Sequence, residues 1–155
     1  MGFAGGVPLL LTLTVLQAWL TAEDVSLTTI GFLGLVGLPY NLKFLWAPLM
    51  DRFNPLGLGR RRSWLVISQI CLAAGIATLG LQDPLEGIWK VAVAACLVAF
   101  FSASQDVVID AYRRETLADA EQGLGASIYT YGYRVGMLLA SAGGLILADV
   151  IGFAG

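Results

Sequence analysis

Six side chains able to do chemistry stand inside apolar stretches of this sequence: Gln17, Lys43, Gln105, Asp106, Asp110 and Arg134. A carboxylate in such a setting can bind and release a proton as its exposure and partners change. Asp106 and Asp110 are four residues apart and share one helical face; Asp106 is the deeper and is the candidate proton carrier. Gln17 and Gln105 can donate and accept hydrogen bonds without carrying charge. Lys43 and Arg134 can hold an anionic group or pair with an acid. A second constellation differs in kind: Asp51-Arg52 is followed by a turn and then by Arg60-Arg61-Arg62. An acid at a helix end, a turn and a basic cluster can form an electrostatic latch that closes one state of a gate and opens in another. The chain has no histidine, which excludes Ser-His-Asp chemistry, His-ligated metals and imidazole proton shuttles. No cofactor is expected: Gly123-Leu-Gly125 lacks the third small residue of a dinucleotide loop, position 128 being Ile, and no P-loop is present.

The elements that carry these groups follow from composition. Of 155 residues, 57% are apolar and 13% charged. A soluble globule of this size would leave too much apolar surface wet, so the sequence reads as a membrane protein. Nine Lys and Arg against eleven Asp and Glu give a net charge of −2, without the basic footprint of a nucleic-acid binder. Cys71 and Cys96 lie in apolar runs without a CxxC and read as small core side chains. Lys43 is the first basic residue, so the charged start of a cleaved signal peptide is missing.

Five stretches approach the roughly 20 residues needed to cross a bilayer: 2–20, 28–50, 64–81, 88–110 and 124–150. They are too long, and alternate too little, for strands, and helices satisfy their own backbone in lipid. The fold class is therefore an all-α membrane protein with five spans. The linker after the second span holds Arg52, Arg60, Arg61 and Arg62, and the one after the fourth holds Arg113 and Arg114; those after the first and third hold none. The positive-inside rule turns the two basic linkers, and with them the N-terminus, to the cytoplasm. Glu115 and Glu121 read as solvated linker residues. Small residues recur every four positions at Gly132, Gly136, Ala140 and Gly144, at Ala95, Ala99 and Ala103, and at Gly2 and Gly6, which lets helices approach closely. Pro8 and Pro39 are expected to kink their spans.

Depth separates the charged candidates. Lys43 lies about 7 residues from the inner end of the second span, on the order of 10 Å deep; it can snorkel to the cytoplasm or face a cavity and bind an anion. Arg134 lies about 10 residues into the fifth span, near the midplane, and needs a partner; Asp106 is the expected one. Ser102 and Ser104 add hydroxyls beside Gln105. Trp19 can stack on a ring or serve as an interface residue, and of Tyr129, Tyr131 and Tyr133 not all can share one face.

Lys43–Arg52 with Gly59-Arg60-Arg61-Arg62 resembles the helix two–three signature of the major facilitator superfamily, G-x-L-x-D-R-x-G-R-R. The first glycine position is taken by Ala47 or Pro48, and the spacing from Asp51 to the basic cluster is longer. A closer resemblance covers nearly the whole chain. Gly2-Phe-Ala-Gly-Gly-Val-Pro8, Leu16-Gln-Ala-Trp19, Thr29-Ile-Gly-Phe32 and Gly59-Arg-Arg-Arg-Ser-Trp64 are similar to the AmpG-type muropeptide permeases. So are Ala103-Ser-Gln-Asp106 with Asp110-Ala111, and Gly132-Tyr-Arg-Val-Gly-Met137.

That resemblance implies proton-driven import of anhydro-muropeptides, the sugars of cell-wall recycling, across a bacterial inner membrane. It implies two six-helix halves around a central site, of which this chain would supply five helices of the N-terminal half, with missing C-terminal helices as its partner. Under it Gln17, Lys43, Gln105 and Arg134 bind substrate and Asp106 couples protons. Asp51, Arg52, Arg60, Arg61, Arg62 and Asp110 form the latch, since a superfamily acid at the end of helix four often joins it. The related acetyl-coenzyme A transporters share parts of the motifs, but their cargo needs several basic groups for its phosphates, and only Lys43 and Arg134 lie within spans. A non-transporting membrane protein is the third reading, and it has no use for acids at membrane depth.

Overall fold

A computed structural model of the protein describes residues 2–22, 31, 34–57, 59–82 and 87–151. Four of its helices are long and apolar enough to cross a membrane: α1 (Gly2–Ala22), α4 (Arg60–Gly80), α5 (Ile88–Thr116) and α6 (Asp119–Val150). Two short helices, α2 (Leu38–Leu42) and α3 (Ala47–Arg52), lie between α1 and α4 and are joined by a 3-10 turn at Lys43–Leu45. No strand occurs among the described residues. The chain is a multi-pass α-helical membrane protein.

The second expected span is thus a broken path, and its prolines explain why. Pro39 and Pro48 each sit in the first turn of a short helix, where the missing N–H costs nothing. Each starts a helix and neither can continue one. Residues 28–30, 32 and 33 of that span, with the motif residues Thr29, Ile30 and Phe32, lie outside the described residues, as do the linker acids Glu23, Asp24, Asp83 and Glu86. Pro8 has another outcome: α1 continues through it into a π turn at Leu11–Val15, and Thr12 Oγ1 donates to the Pro8 carbonyl at 2.9 Å. A second π turn, Leu139–Gly143, packs against α1 from α6.

Helix boundaries follow backbone chemistry. Gly59 precedes α4 at φ 96°, a left-handed conformation that a Cβ would strain. Its carbonyl accepts Ser63 N–H at 2.9 Å, and the preceding loop is pinned by Ser63 Oγ on Asn54 and Trp64 Nε1 on the Phe53 carbonyl. α5 runs past the expected end of its span to Thr116, so Asp110, Arg113 and Glu115 are helical residues.

Two helix pairs organise the bundle. α4 and α5 pack antiparallel, with Gly75 against Val98 and Gln69 bonded to Gln105. α1 and α6 pack parallel, Gly2 meeting Tyr129 and Val15 meeting Gly144. The small residues anticipated in α6 explain that closeness: a Cβ on Gly136 would fall on the Phe3 carbonyl oxygen, and one on Gly6 on the Tyr133 carbonyl oxygen. Ala95 and Ala99 are fully buried among Leu16, Trp19, Leu20, Val36 and Leu79, where α1 and the turn at Gly34–Gly37 meet α5. Trp19 is therefore a core side chain, neither a ring-stacking platform nor an interface residue. Cys96 departs from its expected core position and is exposed, while Cys71 is half-buried; both are free. This topology gathers Arg52, Arg60, Arg61, Arg62, Arg113 and Arg114 at one end of the bundle, six of the chain's nine Lys and Arg.

Candidate functional site

The polar residues of α5 form one buried layer. Ser102, Ser104, Gln105 and Asp106 are all buried, Gln105 to 1% exposure and Asp106 to 6%. The four helical steps from Ser102 to Asp106 turn through about 400°, so these side chains meet neighbours on every side. Gln69 of α4 donates from Nε2 to Gln105 Oε1 at 2.9 Å. Trp46 donates from Nε1 to Ser104 Oγ at 3.0 Å, and that hydroxyl donates to the Phe100 carbonyl at 2.7 Å. Tyr129 of α6 donates from its hydroxyl to Asp106 Oδ1 at 3.4 Å. Gly5 of α1 closes the fourth side: a Cβ there would stand 2.8 Å from Asp106 Oδ1 and 3.3 Å from the Tyr129 hydroxyl.

Three buried polar atoms of this layer have no hydrogen-bond partner among the described residues: Gln105 Nε2, Ser102 Oγ and Tyr40 Oη. The Tyr40 hydroxyl faces those of Ser102 and Thr12 without an aligned hydrogen bond. An unpaired buried polar group costs about 1–3 kcal/mol, so the layer is suited to water or to a ligand rich in hydroxyl and amide groups.

Charge is arranged asymmetrically around the layer. The cation whose field reaches Asp106 is Lys43, half-buried in its 3-10 turn. The expected partner, Arg134, is exposed and makes no ion pair with Asp106. Helical phase gives the reason: Arg134 is five residues beyond Tyr129 and so points about 140° away from the hydroxyl that does reach the carboxylate. Gln17 is also distant. It lies 12 positions after Gly5 along α1, about 18 Å away, half-buried and with no side-chain hydrogen bond among the described residues. The structure thus unites Gln105, Asp106 and the field of Lys43, and leaves Gln17 and Arg134 apart.

A second cluster lies at the basic end. Arg61 in the first turn of α4 pairs with Asp51 of α3 and, at 2.6 Å, with Glu115 in the last turn of α5. Arg60 adds an ion pair to Glu115 at 3.4 Å and a hydrogen bond to the Asp51 carbonyl at 3.0 Å. Arg52 and Arg62 are exposed and have no ion pair among the described residues. Asp110 lies apart, paired with Arg113 three residues later at 3.4 Å. Glu115, read from sequence as a solvated linker residue, is the acid that takes the place expected of Asp110. A signal for it was present: arginines at a helix N-terminus and a glutamate at a helix C-terminus both oppose the helix dipole. Bringing the two ends together offsets both.

Towards the basic end, α1, α5 and α6 line an open pocket of about 400 Å³ formed by Phe3, Ile109, Tyr112, Arg113, Ile128 and Tyr129, among others. The Arg113 guanidinium lies 5.4 Å from the centre of the Tyr129 ring.

The family model described as acetyl-coenzyme A transporter 1 matches residues 1–150. The chain belongs to this acetyl-coenzyme A transporter family. Within reach of that family it is 50% identical over 149 residues to the anhydromuropeptide permease of Escherichia coli strain K12, covering 96% of this chain and 30% of that protein. The same figures hold for the anhydromuropeptide permease of Escherichia coli O157:H7. A Haemophilus influenzae protein of unassigned function is 48% identical over 149 residues, or 96% of this chain and 35% of that protein. The resemblance to muropeptide permeases read from the motifs is borne out by these identities. This family member spans about a third of the length of the relatives it matches.

Proposed function

We propose that the chain is part of a secondary transporter that imports anhydro-muropeptides across a bacterial inner membrane, coupled to protons, with its N-terminus in the cytoplasm. The observation that carries this reading is the 50% identity, along nearly the whole chain, to a protein named for that cargo. The buried layer adds chemical support, because an N-acetylated sugar-peptide offers the amide and hydroxyl groups that Gln105, Ser102 and Tyr40 lack. Further helices of a longer parent chain complete the site, and rocking of one half against the other alternates access to it. Asp106 carries the proton, Gln105 and Lys43 bind cargo, and Gln17 and Arg134 meet it only if the remaining helices bring it to them.

The family description favours a second reading, acetyl-coenzyme A as cargo. It ranks lower because the phosphates of that molecule need several convergent bases, and Lys43 is the cation set beside the buried layer.

Labelled N-acetylglucosaminyl-anhydromuramyl peptide, offered to cells making the full-length protein, tests the proposal. Uptake that collapses when a protonophore is added supports it. No uptake, with the protein confirmed in the membrane, overturns the cargo.

The Asp51–Arg61–Glu115 cluster serves as the cytoplasmic latch, with Arg60 as an auxiliary and Arg52, Arg62 and Asp110 outside its centre. Arg61→Ala is expected to cost only on the order of 1 kcal/mol of stability, because both of its carboxylate partners are about half exposed to solvent. It is expected to raise the reactivity of a cysteine placed at the cytoplasmic mouth several-fold. Unchanged labelling would count against the latch.

A further inference from the structure

At membrane depth, the Tyr129 hydroxyl supplies the side-chain hydrogen bond that joins α6 to α5 among the described residues. We propose that Tyr129 is a positioning residue for Asp106, which holds the carboxylate between α1 and α6 while it is charged and lets go when it takes a proton; the inference rests on the reading of Asp106 as the proton carrier.

The geometry has three parts. Gly5 provides the slot: with no side chain on α1 at this level, the carboxylate and the hydroxyl both reach the helix backbone, and any Cβ would displace them. Tyr133, one turn later, stands 5.9 Å from Tyr129 ring to ring and fixes it laterally. Arg113 lies over the face of the Tyr129 ring while its guanidinium reaches Asp110 at 3.4 Å. A cation over a phenol ring draws electron density from it and so makes the hydroxyl a better donor.

Hydrogen bonds to an ionised carboxylate are roughly twice as strong as those to a neutral group. The Tyr129–Asp106 bond, long at 3.4 Å, is therefore stronger when the carboxylate is charged than when it is neutral. α1–α6 and α4–α5 are the two closely packed pairs of the bundle, and this bond crosses from one to the other. A proton arriving at Asp106 loosens that crossing. Arg113 is seven residues from Asp106 along α5, about 10 Å towards the basic end, so the same tyrosine links the buried acid to the end where the Arg61 cluster lies.

Other charged or titratable groups face Asp106 as well. Asp110 shares its helix, Lys43 and Tyr40 approach from the broken segment, and Tyr133 approaches from α6. From α1, Gly5 with no side chain stands against the carboxylate, and α4 presents neutral Gln69 to the neighbouring Gln105. Among the described residues, only Tyr129 donates a side-chain hydrogen bond to Asp106.

The test is the external-pH profile of muropeptide uptake by the full-length protein carrying Tyr129→Phe, with Tyr133→Phe, Arg113→Gln and Asp106→Asn alongside. Phenylalanine keeps the ring, its packing and the cation above it, and removes only the donor. Losing a donor to the charged form makes the proton easier to bind, so the pH of half-maximal uptake is expected to move upward by about half to one unit, with KM for the cargo unchanged. Arg113→Gln is expected to move it in the same direction by less, and Tyr133→Phe not at all. A parental profile in both Tyr129→Phe and Arg113→Gln overturns the positioning role. Parental driven uptake in Asp106→Asn overturns instead the proton-carrier reading on which it rests.

Discussion

Asp106→Asn in the full-length protein is expected to abolish proton-driven uptake while the folded protein remains in the membrane. The substitution is nearly isosteric, and the asparagine oxygen can still accept the Tyr129 hydroxyl bond that the carboxylate accepts at 3.4 Å. Packing against Gly5 is kept. Inserting the helix becomes easier, since an acid at membrane depth costs about 2.5–3.5 kcal/mol on insertion scales. The amide, however, cannot take up a proton. Accumulation against a gradient should vanish, whereas exchange of labelled for unlabelled cargo, which needs no net proton movement, should persist. Asp106→Glu is expected to recover little, because an added methylene drives the carboxylate into the α1 backbone at Gly5. The measurement is labelled muropeptide accumulation with and without a protonophore. Accumulation at the parental level that still collapses with the protonophore would remove Asp106 from the coupling step.

The second large effect is on stability. Gly136→Ala is expected to cost roughly 1–3 kcal/mol, the range for overpacking a close contact. The added methyl falls on the Phe3 carbonyl oxygen. That obstacle is backbone, so no rotamer change relieves it and α1 and α6 must part. Gly6→Ala meets the Tyr133 carbonyl in the same way and should behave alike. No hydrophobic drive pulls membrane helices back together, and the separation also withdraws Tyr129 from Asp106. Gly143→Ala is the control: nothing lies within 4 Å of the added carbon, and alanine favours a helix over glycine by about 1 kcal/mol. Thermal unfolding in detergent should place Gly136→Ala and Gly6→Ala well below the parent and Gly143→Ala at or above it. Equal midpoints for all of them would show that the α1–α6 crossing is not held by backbone proximity.

Much of this was legible before any coordinates. The apolar runs are long enough to specify membrane helices, and the charge of the linkers separates one end of the bundle from the other. The four-residue spacing of glycines in α6 announces a close crossing. Ser102 to Asp106 stand out because polar residues in an apolar run are expensive and need a reason. All of these are properties of one segment at a time.

What the sequence left open depends on how segments are rotated and paired. Arg134 and Asp106 match in depth, but depth does not fix helical phase, and phase points Arg134 away while turning Tyr129 inward. Asp110 and Glu115 are both acids near the end of α5, separated by five residues and so by about 140°. Only the packing of α5 on α4 decides that Glu115 meets Arg61 while Asp110 turns to Arg113. Pro39 marks a kink in the second span, yet the place of Pro39 and Pro48 in the first turns of α2 and α3 is a matter of local hydrogen bonding. Sequence by itself determined that this protein is a membrane helix bundle with a polar layer at the level of Asp106 and a basic end. Tertiary structure alone decided which side chains meet there, because a contact between two helices depends on both of their rotations and a linear pattern specifies at most one.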